Sequence, residues 1–425
     1  MANNQGPLSG FRDLLSPQMF ARQKVIDIII SEYERYGFMP VKTPALEKYE
    51  TLSGKYGDEA TTLMYDFKDR GERHLALRYD HSVPLARLMA SMGSSLPLPY
   101  KRYAIGDVWR GESPQAGRYR EFTQLDADIV GSDSYLADTE ILLMMADIFD
   151  GLKTKATIYV NDRRILDGLA ENSGINEPGQ FYKFIGTIDK VAKIGKDQVL
   201  TEVDKNFGPG ARENLVALFD HELSLDEVAE ILKNPKVTSG VANLKAIFDT
   251  LKPLGIKNIK FDPTIARGLN YYTSTIFETL IDERPELGSV CSGGRYDKLI
   301  GQLGGPDLPA VGTAIGLDRL MDALDDNDII LTKTIAVITN LEQSLDAERL
   351  ALAHKLRESG LAVELYYAPV KLGKQLGSID KLGVPLAIIY GHDEHKKGVV
   401  LVKDLKNSTQ REISLDDLES ELSKI

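Results

Sequence analysis

The chain has 425 residues, 43% of them hydrophobic and 27% charged, which suits a folded protein of two or three domains with real cores. A formal net charge of -12 argues against a generic nucleic-acid binder, whose phosphate contacts need Lys and Arg, but leaves room for a local basic face. The longest apolar runs, such as "VIDIII", are too short to span a bilayer, and "MANNQGPLSG" has neither the basic nor the apolar region of a secretory signal.

One cysteine, Cys291, can make neither an intramolecular disulfide nor a zinc cluster, so a reducing cytoplasm is expected. Its Gly/Ser-rich strand end, with no nearby His, speaks against a nucleophile.

In chain order, residues 16–38 read as an amphipathic helix, with Ser16 as N-cap, Pro17 in the first turn and Gly37 at the end. "MPVKTPALE" (39–47) follows as an extended segment held by two prolines. "LMYDFKD" and "HLALRYD" predict a hairpin, and "SVPLARLMASMG" a helix just after Asp80. Residues 100–110 and 119–131 predict two strands joined by the polar loop "GESPQAGR". A helix over 137–150 carries Met144 and Met145 as core filler.

Residues 165–252 predict polar-faced helices inserted in a larger domain, one opening on a Ser224-x-x-Glu227 capping box. After "RGLNYYTSTIFETLI", a glycine-rich stretch and "PAVGTAIGLDRLMDAL", residues 326–333 read as a linker. From 334 the rhythm becomes α/β, closing on the helix "SLDDLESELSKI". This end domain is not basic: residues 331–425 hold 13 Lys plus Arg against 14 Asp plus Glu. Lys371, Lys374 and Lys381 are predicted on one helix, as a solvated face or a loose basic cluster.

In 119–131, strand alternation puts Gln124, Asp126 and Asp128 on one face, either solvated or lining a pocket. Arg110 and Glu112 stand across the hairpin, with Arg118 and Arg120 flanking "GRYR". Acids suit an ammonium or imidazole and arginines suit an anion such as a triphosphate, so the mixture fits an amino acid beside ATP. "GLDRL" (316–320) opens a helix that puts Arg319 one turn in. No Walker GxxxxGK[ST], no GxGxxG after a strand and no HExxH is present, and the two His of "GHDEHKKG" (391–398) are read as a solvated charged turn rather than a metal site.

Together these segments resemble histidyl-tRNA synthetase, a class II aminoacyl-tRNA synthetase family. "VWRGESPQAGRYREFTQLDADIVG" resembles the family's motif 2, "AVGTAIGLDRLM" its motif 3 and "VKTPALE" the end of motif 1. "RGLNYYTSTIFE" and "SGGRYDKLIGQLGG" resemble the signatures particular to the histidine enzyme; "GFRDLLSP", "TIDKVAKIG" and "KLGKQL" match as well. The ordered set spans nearly the whole chain.

The resemblance implies an α+β fold: a six-stranded antiparallel sheet flanked by helices in a catalytic domain over 1–325. It further implies the helical insertion (165–252), a C-terminal α/β anticodon-binding domain (334–425), and a homodimer formed through motif 1. It implies histidine, ATP with magnesium, and tRNA(His) as partners, and no membrane.

By the same resemblance Asp80, Ser82 and Gln124 hold the α-amino group, Asp128 and Tyr272 read the imidazole, and His81 and Tyr271 line the pocket. Arg110 holds the histidine carboxylate and α-phosphate, Arg267 supplies a fixed charge there, Arg118 and Arg319 hold the outer phosphates, and Glu112 orders ATP and its magnesium. Gln115 is a candidate tRNA contact.

Four residues depart from the commoner pattern: His81, Ser113, Asn270 and Ser292. The alternative is a synthetase-like regulatory subunit of ATP phosphoribosyltransferase, a non-enzymatic histidine sensor. Such paralogues typically lack the end domain and erode the Arg267 and motif 2 signatures, both present here.

Overall fold

The computed structural model describes residues 6–53, 61–115, 117–219, 223–266, 271–324 and 332–424. The chain divides into two compact units, Met1–Asp13 with Val25–Asp325 and Leu14–Lys24 with Asp326–Ile425. The segment expected as a linker falls largely outside the described residues.

The first unit is built on an eight-stranded sheet and a three-stranded one. In chain order the strands are β1 (Met39–Pro40), β2 (Leu46–Lys48), β3 (Asp66–Lys68), β4 (His74–Leu77), β5 (Tyr100–Trp109) and β6 (Glu121–Val130). Then come β7 (Ala156–Asp162), β8 (Ile259–Phe261), β9 (Thr275–Ile281), β10 (Cys291–Arg295) and β11 (Ala310–Gly316). The large sheet runs β1-β5-β6-β11-β10-β9-β7-β8. Its middle six strands are antiparallel throughout, as expected, and the short outer strands β1 and β8 add parallel pairs at the edges. The predicted hairpin is β3–β4, which with β2 forms the small sheet.

One continuous core joins the sheet to its helices. Ile29 and Tyr33 of the helix Ser16–Arg35, and Met144, Met145 and Ile148 of Tyr135–Gly151, are fully buried against it. Both methionines are core filler, as expected in a helix rich in Met and Leu. The insertion is helical from Arg163–Asn172 to Pro235–Leu251, and its apolar faces join the same cluster. The capping box at Ser224 and Glu227 forms with both of its hydrogen bonds.

The second unit holds a five-stranded sheet of β12 (Ala336–Ile338), β13 (Val363–Leu365), β14 (Leu386–Ile389), β15 (Val399–Asp404) and β16 (Thr409–Ser414), ordered β13-β12-β14-β15-β16. The first three are parallel, as a βαβ rhythm demands, and the last two antiparallel. "GHDEHKKG" is not a turn: His392–Lys397 is a short helix, in which His395 Nδ1 shares a 2.7 Å hydrogen bond with the Tyr390 hydroxyl. Lys371 precedes the helix Leu372–Lys381 rather than lying within it.

Candidate active site

The floor of the site is one face of β6. Gln124, Asp126 and Asp128 point the same way and are 7%, 1% and 2% exposed. Register decides what stands beside each, because directly paired residues share a face. Gly106 and Gly316 flank Gln124, Ala104 and Ala314 flank Asp126, and Arg102 and Gly312 flank Asp128. Five of these six neighbours are Gly or Ala, so a trench lies open over β6. A cleft of about 1490 Å³ stands above it.

Two glycines are required by close approach. A Cβ at Gly312 would fall on the Asp128 carboxylate, and one at Gly293 would fall on the Gly312 carbonyl and lie 2.7 Å from the Phe277 ring.

Asp128 is gripped from two sides. Its Oδ1 accepts from the Tyr296 hydroxyl, and Arg102 Nη2 lies 2.6 Å from its Oδ2 as an ion pair. The same Nη2 donates to the His81 carbonyl at 3.1 Å. Burial pushes the Asp128 carboxyl up, while Arg102 and the Tyr296 hydroxyl act against it. Burial raises Asp126 well above the usual carboxylate range, against the pull of Arg102 and with Asp128 adding to the rise.

Asp80 stands at the start of the helix Ser82–Met92. Its Oδ1 accepts from the Ser82 and Val83 amides at 3.0 and 3.1 Å, and the Tyr271 hydroxyl lies 3.5 Å from its Oδ2. These amides are orphan donors of the first helical turn, which an Asx side chain satisfies. Tyr271 packs edge-on against both Tyr272 and Tyr296, with ring centroids 5.0 and 5.8 Å apart. Burial, then Asp80 and its neighbouring acids, raises the Tyr272 hydroxyl, so it stays protonated and able to donate.

Basic residues stand on the β5–β6 connection. The Arg110 guanidinium lies 4.4 Å from the Tyr79 ring centroid and 5.2 Å from that of Phe122, and its Nε donates to the Tyr79 carbonyl at 3.2 Å. Stacking fixes its plane and leaves an edge for an anion. Arg118 is exposed, 3.7 Å from Glu112.

Of the residues expected to hold histidine, Asp80, Ser82, Gln124, Asp128, Tyr271 and Tyr272 line this one cleft. Arg110, Glu112 and Arg118 of the expected ATP set line it as well, and so does Gln115. His81 is not part of the lining: it is 2% exposed and its Nε2 is 3.2 Å from the Gly106 carbonyl. Arg319 is not part of it either, its Nη1 donating to the Ser289 carbonyl at 2.6 Å. Arg267 and Asn270 lie outside the described residues.

Sequence reasoning passed over Arg102, which only the β5–β6 register reveals as the partner of Asp128. It also left Asp126 without a role, although alternation put it on the trench floor. Tyr182, Lys183 and Lys190 of the insertion line the cleft too; Lys190 falls in "TIDKVAKIG", but no local motif signals Tyr182 or Lys183.

The family model for Histidyl-tRNA synthetase matches residues 10–320, and that for an Anticodon binding domain matches 334–425. The Histidine--tRNA ligase of Rhodopirellula baltica is 38% identical over 420 residues, 96% of this chain and 95% of its own. A crystal structure of histidyl-tRNA synthetase from a Nostoc species superposes with a TM-score of 0.83 at 32% identity, covering 99% of both chains. A Bacillus halodurans structure, described as an ATP phosphoribosyltransferase regulatory subunit/histidyl-tRNA synthetase, shares the fold with a TM-score of 0.75 at 22% identity, over 89% of this chain and 97% of its own. With its family model matched over most of its length and a relative this similar end to end, the chain belongs to the histidyl-tRNA synthetase family.

Proposed function

We propose that this chain activates L-histidine with ATP, releasing pyrophosphate, and transfers the histidyl group to the 3' end of tRNA(His). The observation that carries the reading is the pairing, in one cleft, of a buried acidic trench with arginines on the β5–β6 connection. The first suits an amino acid with a basic ring; the second suits a polyanion.

Activation is in-line attack of the histidine carboxylate on the α-phosphorus. It asks for positioning and charge neutralisation rather than covalent help. Arg110 holds the carboxylate and α-phosphate, and Arg267 adds a fixed charge. Arg118 lies toward the outer phosphates. Glu112 is a single carboxylate, so magnesium arrives with the triphosphate, which supplies its other oxygens. Asp80, Ser82 and Gln124 offer acceptors to the three donors of the α-ammonium. Asp128 and Tyr272 mark the imidazole end. A site that pairs both ring nitrogens rejects apolar amino acids, whose binding would leave its polar groups unpaired. The matched end domain, residues 334–425, reads the anticodon, and the protein works as a homodimer.

The regulatory-subunit reading has less support: the anticodon-binding match and the Arg110–Arg118 segment are both retained. Pyrophosphate exchange with purified protein tests the proposal. Exchange that depends on histidine and on no other amino acid is the expected result; exchange no greater with histidine than with others overturns it.

A further inference from the structure

The start of "GFRDLLSP" takes no part in the chemistry above, yet with Ser9 before it this segment holds the loop that carries Arg118. The Arg120 amide donates to the Gly10 carbonyl at 2.8 Å, and Arg120 Nη1 to the Ser9 carbonyl at 3.3 Å. Arg120 Nε donates to the Glu112 carbonyl at 3.0 Å, which ties the loop back to its own first half. Gly10 has a φ of +86°, and a Cβ there would lie 2.7 Å from Arg120 Cγ, so the segment lies as close to the loop as a glycine permits. Phe11 packs edge-on against Tyr65, with ring centroids 6.1 Å apart. The Arg12 guanidinium then lies 3.3 Å from the ring centroid of Tyr119, the residue after Arg118.

The same guanidinium forms an ion pair with Asp318, a 3% exposed residue in the first turn of the helix Leu317–Ala323. Asp318 Oδ2 accepts from the Thr123 amide of β6 at 2.9 Å. A Cβ at Gly117, on the other side of Arg118, would lie 3.2 Å from Arg319 Cγ, so the loop rests on this helix as well. Arg118 therefore stands between two held neighbours. Its own ion pair, with Glu112 at 3.7 Å, is an exposed one and weak. An exposed arginine that meets a polyanion loses less entropy on binding when its backbone is already fixed. Arginine suits position 12 because its plane can stack on a ring while its edge donates to a carboxylate.

We infer that Arg12 is a positioning residue for the nucleotide: by stacking on Tyr119 and pairing with Asp318 it fixes the β5–β6 connection so that Arg118 meets the outer phosphates of ATP. Arg12 does not line the cleft and acts only through these two residues. The inference rests on the synthetase reading and gives the N-terminal segment its part in it.

The test is a double-mutant cycle on the full chain. Arg12→Lys keeps a cation beside the buried Asp318 but loses the planar stack, and Tyr119→Leu removes the ring. Both single variants and the double are compared with the wild type by pyrophosphate exchange at varied ATP and varied histidine, and by calorimetric titration with ATP. Loss of the stack predicts a rise of about 10-fold in KM and Kd for ATP in each single variant. KM for histidine is expected within about twofold of the wild type, because the trench is built on other elements. Both substitutions remove one contact, so the double variant is expected to match the singles rather than multiply them to about 100-fold. A residue that merely supports the fold would shift both KM values together. That pattern, multiplying effects, a KM for ATP within about twofold of the wild type, or failure of both single variants to fold overturns the inference. Absence of histidine-dependent exchange in the wild type would instead sink the synthetase reading on which it rests.

Discussion

His81 makes stability depend on pH in a way that can be calculated. Its ring is buried, with Nε2 against the Gly106 carbonyl, and it precedes the first turn of the helix Ser82–Met92. Burial pushes its pKa down to about 3, with Arg102 and Arg78 repelling the charged form. The positive end of the helix dipole opposes an imidazolium there too. In the unfolded chain an ordinary histidine has a pKa of about 6.5. Between the two values the unfolded state binds the extra proton, so stability falls as pH drops through about 6.5 and keeps falling toward 3. The loss attributable to this group is about 2 kcal/mol at pH 5 relative to pH 8. At pH 5 the folded-state ring is neutral, so the loss is set by protonation of the unfolded chain.

The perturbation is His81→Gln, whose amide can still donate to the Gly106 carbonyl but does not titrate. Urea unfolding at pH 8 and pH 5, followed through the single tryptophan, Trp109 in β5, gives both free energies in the same unit. Other acids contribute to both proteins alike, so the difference of differences isolates His81. The wild type is expected to lose about 2 kcal/mol more than the variant between the two pH values. A gap under about 0.5 kcal/mol would refute the reasoning, by showing that His81 takes up its proton in the folded state.

Arg267→Ala is expected to bring adenylate formation close to zero while histidine binding, read by calorimetry, stays measurable; equal loss of both would make Arg267 a ground-state ligand or a structural residue. Gly293→Ala drives a Cβ onto the Gly312 carbonyl and the Phe277 ring between two paired strands, where nothing can move aside. A loss of about 1–3 kcal/mol or more is expected, and an unchanged thermal midpoint would contradict the packing described. Removal of residues 331–425 is expected to spare histidine-dependent exchange and cripple charging of tRNA(His); unchanged charging would remove the role assigned to that segment.

The long elements were legible because their patterns are strong. β5 and β6 run ten residues each, β6 alternating polar and apolar residues from Gln124 to Ile129, and the helix Tyr135–Gly151 is apolar on most of its surface. What escaped is short or polar. β8 has three residues and exists through its parallel pairing with β7, itself unread between a helix and the insertion. β16, "TQREIS", buries only Ile413 and carries no hydrophobic alternation, because it is an edge strand held by its ladder to β15. The six-residue helix at His392 is capped by Glu394 at the Gly391 amide, a signal too small to outweigh its run of charges. The site divides the same way. Residues within a motif came out together, whereas Arg102, Tyr182 and Lys183 depend on register and tertiary placement.

The register also explains how the trench tolerates three acids. Asp80, Asp126 and Asp128 all lie within 4% exposure, and Arg102 is the fully buried cation among them. Desolvation alone would neutralise such a cluster by protonation. Each acid is held differently. Asp80 spends one oxygen on the amides of a helix start, Asp128 is fixed by an arginine and a tyrosine, and Asp126 faces the cleft with neither. Asp80 and Asp128 are therefore tied by direct contacts, while Arg102 and Arg110 act on Asp126 through space, pulling against the rise that burial causes. An incoming amino acid that brings one ammonium and one ring N–H supplies the donors the trench lacks. An apolar amino acid of similar size supplies only the first and leaves the buried acceptors of the trench without a donor, which is the physical ground for rejecting it.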